Sequence, residues 1–363
     1  TGALELLTHR LRVETDDGLV GWGEPVLEGS ADVVRTAVEQ YAEILIGSDP
    51  ARIEDLHSLM ARGGFYRGGP IFGSALAGLD QALWDIAGKA LGVPVHRLLG
   101  GHVRDRIRMY GWIGGDDPSE VADHVQERMD QGLTAIKMNA SGRLTHLATS
   151  AELDGVVARA EAARAVLGPH RDVAIDFHGR VSVANARRLS VLLEPVRPLF
   201  IEEPVVPEKT ALLSQVVEAS SVPVATGERL YHRTEFLPAL QAGIAVAQPD
   251  LSHAGGITEV RKIAALADVY DVQLAPHCPL GPISLAAGLQ VDASIPNFLA
   301  QEHTTFGAGY LKEPFVFKDG YLELPTKPGL GIELDEEAMA DKIGHDWRNP
   351  ESYHPDDGAA IDW

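Results

Sequence analysis

Six ionisable residues recur at nearly equal intervals along the chain. They are Asp176, Glu202, Glu228, Asp250, His277 and Glu302, separated by 26, 26, 22, 27 and 25 residues. Each stands at or just beyond the end of a short apolar run, and the interval is about one strand plus one returning helix. The spacing therefore predicts six side chains at the same point of successive strand–helix units. Three of them, Asp176, Glu202 and Glu228, are carboxylates on neighbouring strands. Buried together without a counter-charge, they would repel one another and protonate. A hard divalent cation removes that conflict, and Mg²⁺ accepts a few carboxylates while keeping positions for substrate oxygens. Separate pairing with Arg180, Arg229 or Lys137 is the alternative, and the regular spacing argues against it. Glu203 competes with Glu202, since strand alternation sends only one of the two toward the shared face.

His178 lies two residues after Asp176, so the same alternation sends both side chains one way. An imidazole beside a metal-bound substrate is a natural proton carrier near neutral pH. His277 ends a later run, in APHCPLGP. A carboxylate on the adjacent strand, Asp250, can hold one of its ring nitrogens and leave the other as proton acceptor. Lys137 and Asn139, in KMN, also share a face. Lys137 is suited to neutralising a substrate carboxylate or, alternatively, to forming a Schiff base. Asn139 exchanges no protons, so the site has imidazoles but no second lysine base. Cys278 reads as a small buried residue rather than a nucleophile. The glycine pairs form no phosphate-binding GxGxxG and read as turns.

These residues need elements to carry them. From about Arg106, eight β-prone runs follow: IRMYGW (107–112), TAIKM (134–138), VAIDF (173–177), LFIEE (199–203), VPVAT (222–226), AVAQP (245–249), QLAPH (273–277) and FLAQE (298–302). Helix-like segments such as ADHVQERM and LSQVVEAS fill several of the gaps. Apolar strands with helical crossovers mean a parallel sheet covered on both faces. Eight such units suit a closed (β/α)₈ barrel, whose chemistry sits at the C-terminal rim. Residues 1–105 read instead as mixed α+β. LRVETDDGLVGWGEP predicts a hairpin turning at Asp16-Asp17-Gly18. Helical periodicity follows over 30–46 and 74–90, with the glycine-rich GGFYRGGP (63–70) as a loop between them. The tail from about Gly309 has few barrel-like units and is expected to return to the first part.

Composition narrows the function classes. Among 363 residues, 31 Lys and Arg face 52 Asp and Glu, a formal charge of −21. Such a chain repels phosphate backbones and anionic membranes, so nucleic-acid binding is not expected. No apolar run reaches the roughly 18 residues of a membrane span. The lone Cys278 forms no intramolecular disulfide and suits a reducing compartment, so a cytoplasmic location is expected.

The order KxN, DFHGR, IEEP, GER, QPDLSHAGGITE, APHCPLGP and QEH resembles the enolase superfamily, in its mandelate-racemase subgroup. The likeness extends from ETDDGLVGWGEP and GFYRGGP to TKPGLG and DWRNP. It implies an α/β, enolase-like fold: an α+β capping domain (1–105), a modified (β/α)₇β TIM-type barrel (106–308), and a C-terminal segment (309–363) returning to the cap. It implies one Mg²⁺ on Asp176, Glu202 and Glu228. His277, paired with Asp250, resembles the general base, and His178 the general acid. Glu302 resembles the residue that hydrogen-bonds the enediolate oxygen, and Lys137 and Asn139 match substrate-contacting positions. The implied activity is dehydration of a small-molecule sugar acid, with D-galactonate the expected substrate, to a 2-keto-3-deoxy acid in a homo-oligomer. Such sites use a Lys or His base with Mg²⁺ on the enediolate. A dehydratase for another epimeric acid, or a racemase on the same scaffold, is the rival, and Asn139 in place of a second lysine weakens the racemase. Loops around Trp22, Glu24, Tyr66 and Arg67 are expected to select the substrate. The segment before LRVETDDG looks short for the family's first strand.

Overall fold

The computed structural model describes residues 3–7, 10–115, 117–140, 142, 144–340, 352–353 and 357–360. The DWRNP motif (346–350) lies outside the described residues. The chain opens with an antiparallel sheet of β1 (Ala3–Leu7), β2 (Arg10–Glu14) and β3 (Val20–Gly23). The opening segment that looked short thus forms a strand, paired with β2 from Ala3↔Glu14 to Leu7↔Arg10. The predicted turn joins β2 to β3, with Gly18 at φ 86°, a conformation glycine adopts without steric cost.

Four helices follow: α1 (Ala31–Leu45), α2 (Ile53–Arg62), α3 (Gly69–Leu91) and α4 (Val95–Leu98). α2 has no counterpart in the sequence-based expectation. α3 starts five residues before the predicted Ser74. Pro70 sits in its first turn, where a missing N–H leaves no bond unmade. α3 is the hinge of the architecture: one side covers β2 and β3, and another packs on a barrel helix. Where it crosses the loop after β3, a Cβ on Gly78 would meet Pro25 at 2.5 Å.

The barrel runs β4 (Arg106–Ile113), α5 (Pro118–Asp130), β5 (Ala135–Asn139), α6 (Ser150–Leu167), β6 (Asp172–Asp176), α7 (Val183–Leu192) and β7 (Ile201–Glu202). It continues with α8 (Leu213–Val217), β8 (Val224–Thr226), α9 (Arg233–Gln241), β9 (Val246–Ala247), α10 (Gly256–Val269), β10 (Gln273–Leu274), α11 (Pro282–Ser294) and β11 (Gln301–Glu302). Neighbouring strands pair in parallel from β4 to β10. A Leu274↔Phe298 bridge and the pairing of β11 with β4 close the circle. Seven helices separate eight strands. After β11 comes not an eighth helix but the hairpin β12 (Phe317–Lys318) and β13 (Tyr321–Glu323), whose second strand pairs antiparallel with β4. The eight regular units read from the apolar runs are therefore seven plus a strand, as the family resemblance implies. The chain then returns to the first part, where Val95 N–H donates to Gly329 O (2.9 Å) and Leu330 N–H to Asp85 Oδ1 (2.8 Å). A short α12 (Glu336–Met339) follows.

One layer of side chains closes the barrel interior: Tyr110, Ala135, Ala174, Phe200, Ala225, Val246, Ala275 and Ala300. Each strand or its immediate flank supplies one. Five alanines leave room for Tyr110 and Phe200, which meet edge to face at 6.3 Å. Ala225→Leu is expected to overfill this floor and to lower unfolding stability by about 1–3 kcal/mol. A urea midpoint equal to that of the unmodified protein would show that the layer has slack.

Candidate active site

Side chains alternate along a strand, so the floor dictates what lies above it. Two residues beyond the floor positions stand Trp112, Lys137, Asp176, Glu202, Gln248, His277 and Glu302. The register sets Asp176 directly beside Glu202 across β6 and β7. On β8 the equivalent position is Gly227, where a Cβ would meet Gln248 N at 2.9 Å. The carboxylate of that strand therefore comes one residue later, as Glu228. Sequence reasoning overlooked Gln248, although its place two residues before Asp250 was an available signal.

Lys137 is the centre of the site. Its Nζ donates to Glu202 Oε1 (2.9 Å) and reaches both oxygens of Glu302 (2.9 and 3.0 Å), with Asp176 Oδ2 at 4.0 Å. Gln248 Nε2 donates to the other oxygen of Glu202 at 2.7 Å. Burial alone would lower the pKa of Lys137, but Glu202 and Glu302 outweigh it and raise the value well above the ordinary range. That ammonium holds its proton, which disfavours the Schiff-base alternative. Burial pushes Glu202 the opposite way, well above the usual carboxylate range; Lys137 opposes the rise, while Asp176 and Glu228 add to it. Five carboxylates converge here, Asp176, Glu202, Glu228, Asp250 and Glu302, none more than 7% exposed.

His277 Nδ1 lies 2.8 Å from Asp250 Oδ2, and Asp250 Oδ1 accepts the Ser252 N–H at 2.6 Å. An ionised carboxylate only accepts, so Nδ1 carries the hydrogen and Nε2 points to the mouth. There it faces Glu228 Oε2 at 3.4 Å. Burial would lower the pKa of His277, but Glu228 and Asp250 raise it to about 10. Glu228 experiences the reciprocal effect: burial would raise it, but His277, Lys137, His178 and Arg229 hold it at about 2. Its Oε2 is buried and accepts no hydrogen bond from a described residue.

His178 sits in the turn after β6 at φ 54°, a sparsely populated conformation for a non-glycine residue. Asp176 holds it there. Oδ1 accepts the His178 backbone N–H at 2.6 Å, and Oδ2 lies 2.9 Å from its Nδ1. Glu203 likewise turns at φ 44° just past β7 and binds Arg229 through two contacts of 2.5 and 3.1 Å. Glu202 points toward Lys137 and Glu203 toward Arg229, so the two acids part at the strand end. Asn139 Oδ1 accepts from Trp112 Nε1 at 3.3 Å. Cys278 is buried, as expected.

Ligand atoms of Asp176, His178 and Glu228 lie within 4.8 Å of one another, the geometry of a cation site. Glu202, expected as the third metal ligand, is not in this group: its two oxygens accept from Lys137 and Gln248. The Glu228 oxygen that accepts no hydrogen bond and the surplus of buried carboxylates fit a divalent metal. His178 Nδ1 is committed to Asp176, which leaves a mainly oxygen donor set of the kind a hard cation takes.

Fold and site together define a barrel enzyme with its chemistry at the C-terminal rim. Residues 8–100 match the mandelate racemase/muconate lactonizing enzyme N-terminal domain, and residues 120–338 match the enolase C-terminal domain-like family. The chain belongs to the enolase superfamily, in its mandelate racemase/muconate lactonizing enzyme group. It is 49% identical to a D-galactonate dehydratase of Variovorax paradoxus, over 97% of this chain and 96% of that one. Identity to a D-galactonate dehydratase of Verminephrobacter eiseniae is 50%, with the same coverage. A crystal structure of an enolase from Agrobacterium radiobacter, bound to Na and L-malate, superimposes with a TM-score of 0.92 at 31% identity, covering 99% of this chain and 98% of that one. No described helix is long and apolar enough to cross a membrane.

The raised pKa of His277 has a consequence for metal binding. At pH 8 the metal-free protein carries His277 as an imidazolium, because its pKa is about 10. A dication on Glu228 would cancel the charge that raises it, so the pKa would fall and a proton would leave. Calorimetry of Mg²⁺ binding in buffers of different ionisation enthalpy should therefore detect release of up to about one proton, absent in His277→Gln. Binding heats independent of buffer would break the link between Glu228 and His277.

Proposed function

We propose that this protein is a Mg²⁺-dependent sugar-acid dehydratase acting on D-galactonate. The observation that carries the reading is a pair of imidazoles held by separate carboxylates, His277 by Asp250 and His178 by Asp176, on either side of Glu228 in the sequence and both within its electrostatic reach. Such a pair can divide the roles of base and acid. The names of the D-galactonate dehydratases above support the substrate. Asp176, Glu202 and Glu228 would hold the metal, which supplies positive charge where the substrate carboxylate gains negative charge.

A C–H bond beside an ionised carboxylate is a very weak acid, so the barrier lies in the doubly charged enediolate. Interactions that strengthen as this charge forms accelerate the reaction, and Lys137 is placed to make one. In its neutral form, with Nδ1–H held by Asp250, His277 takes the C2 proton at Nε2. The electron pair left behind forms the C2–C3 double bond as the 3-hydroxyl departs. His178 donates a proton to that hydroxyl, which leaves as water. The enol then gains a proton at C3 and becomes the 2-keto-3-deoxy acid. The enediolate oxygen would lie beside Glu302, whose two oxygens hold the Lys137 ammonium, and Asn139 would contact the substrate beside Trp112. The lone cysteine suits a cytoplasmic setting, and a homo-oligomer belongs to the same reading.

Pentonates and hexonates screened with Mg²⁺, with keto-acid product read by semicarbazide, should give EDTA-sensitive turnover confined to D-galactonate. His277→Asn and His178→Asn should each lower kcat by roughly 10²–10⁴-fold. Full turnover in both variants would remove the assigned roles. Turnover of another acid would change the substrate, and isomerised acid without keto product would make the enzyme an epimerase.

A further inference from the structure

The first domain reaches the reacting centre through two buried polar residues. Glu24 was expected among the substrate-selecting loops, but it is 6% exposed and lies at the start of α11. Its Oε1 accepts the Gly281 N–H at 2.7 Å and its Oε2 the Ser284 N–H at 2.9 Å. α11 has no side-chain cap of its own. Its cap comes instead from a strand end 257 residues earlier in the chain, with a carboxylate where the helix dipole favours one. Gly281 is needed there, because a Cβ would run into the Glu24 carboxylate.

The second residue is Gln81, fully buried on α3. Its Oε1 accepts the backbone N–H of Glu24 at 2.7 Å. Its Nε2 donates to Leu251 O at 2.8 Å and to Ser252 Oγ at 3.2 Å. Ser252 in turn gives its N–H to Asp250 Oδ1, and Asp250 Oδ2 holds His277 Nδ1. His277 lies four residues before Gly281. The contacts therefore close a ring: Glu24, Gln81, Ser252, Asp250, His277, the turn 278–281, and Glu24 again.

We infer that Glu24 and Gln81 are positioning residues for the His277–Asp250 pair. The first domain thus holds both halves of the pair in place as well as covering the barrel. The roles given to His277 and Asp250 rest on the dehydratase reading above; the ring itself rests on the contacts alone.

The test compares wild type with Glu24→Gln, in which one amide N–H₂ opposes a backbone N–H, and with the volume-conserving Gln81→Met, both in the Mg²⁺-loaded protein. Each variant should lower kcat on D-galactonate about 10- to 100-fold, as expected for a misplaced base, with KM and Mg²⁺ affinity within about threefold of wild type. The primary isotope effect with C2-deuterated substrate should rise as proton removal becomes rate-limiting. Proton NMR should show the downfield His277 Nδ1–H resonance shifted or lost in the variants. Unchanged kcat, isotope effect and resonance in both variants would overturn the inference. A parallel fall of kcat, metal affinity and thermal stability, with no change in isotope effect, would reduce the two residues to general supports and overturn it as well. If wild type dehydrates no sugar acid while the variants still move the resonance, the functional reading fails and the positioning stands. A variant that does not fold leaves the decision to the other.

Discussion

Everything in this molecule answers to an excess of buried negative charge. Asp176, Glu202, Glu228, Asp250 and Glu302 share one mouth, where Lys137 is the ammonium group among them. Lys137 cannot satisfy them all: its own pKa climbs, yet that of Glu202 also climbs. The strain also appears in Glu228 and His277, which bind each other's charge tightly enough to separate their pKa values to about 2 and about 10. Desolvated charges of one sign are costly unless paired. A site of this kind persists only where the surrounding packing leaves its side chains no other place to go.

The barrel supplies that packing through geometry. A strand has a period of two, so a floor built of five alanines, a valine and two aromatics sets seven of the functional side chains one layer higher. The short strands are only two to five residues where the carboxylates emerge, and two chain reversals after them require positive φ, at His178 and Glu203. Both turns are fixed by polar contacts, from Asp176 to His178 and from Arg229 to Glu203. Local backbone energy is thus spent at the rim, in residues adjoining the cation site, while the floor below stays regular.

How much of this could be read beforehand depended on the range of each interaction. Asp176, Glu202, Glu228, Asp250, His277 and Glu302 were legible because each belongs to a contiguous strand–helix unit whose length the sequence displays. The choice between Glu202 and Glu203 was not, since it depends on a φ value at residue 203 that Arg229, 26 residues later, stabilises. The eighth helix was over-read because periodicity cannot show that the chain after residue 302 turns into a hairpin on β4. The partners of Glu24 were not legible for a similar reason, as they lie 257 and 260 residues away. A signal did exist for Gln81. Asp80, Gln81 and Asp85 interrupt the otherwise apolar α3, and buried polar groups of that kind must find partners. Asp80 Oδ2 finds Thr258, Gln81 finds Leu251 and Ser252, and Asp85 finds Trp22 and Leu330.

The two imidazoles illustrate how one residue type can be held in two ways. His277 is held by Asp250, a carboxylate that is itself fully buried and tied to Ser252, so its ring orientation is determined from behind. His178 is held by Asp176, which also belongs to the candidate cation group, so its hydrogen bond would compete with a metal for the same carboxylate. A cation that neutralised Glu228 would lower the pKa of His277 and so leave more of that imidazole in the neutral form able to accept a proton. A single cation would therefore meet the two histidines through different carboxylates, Asp176 for His178 and Glu228 for His277.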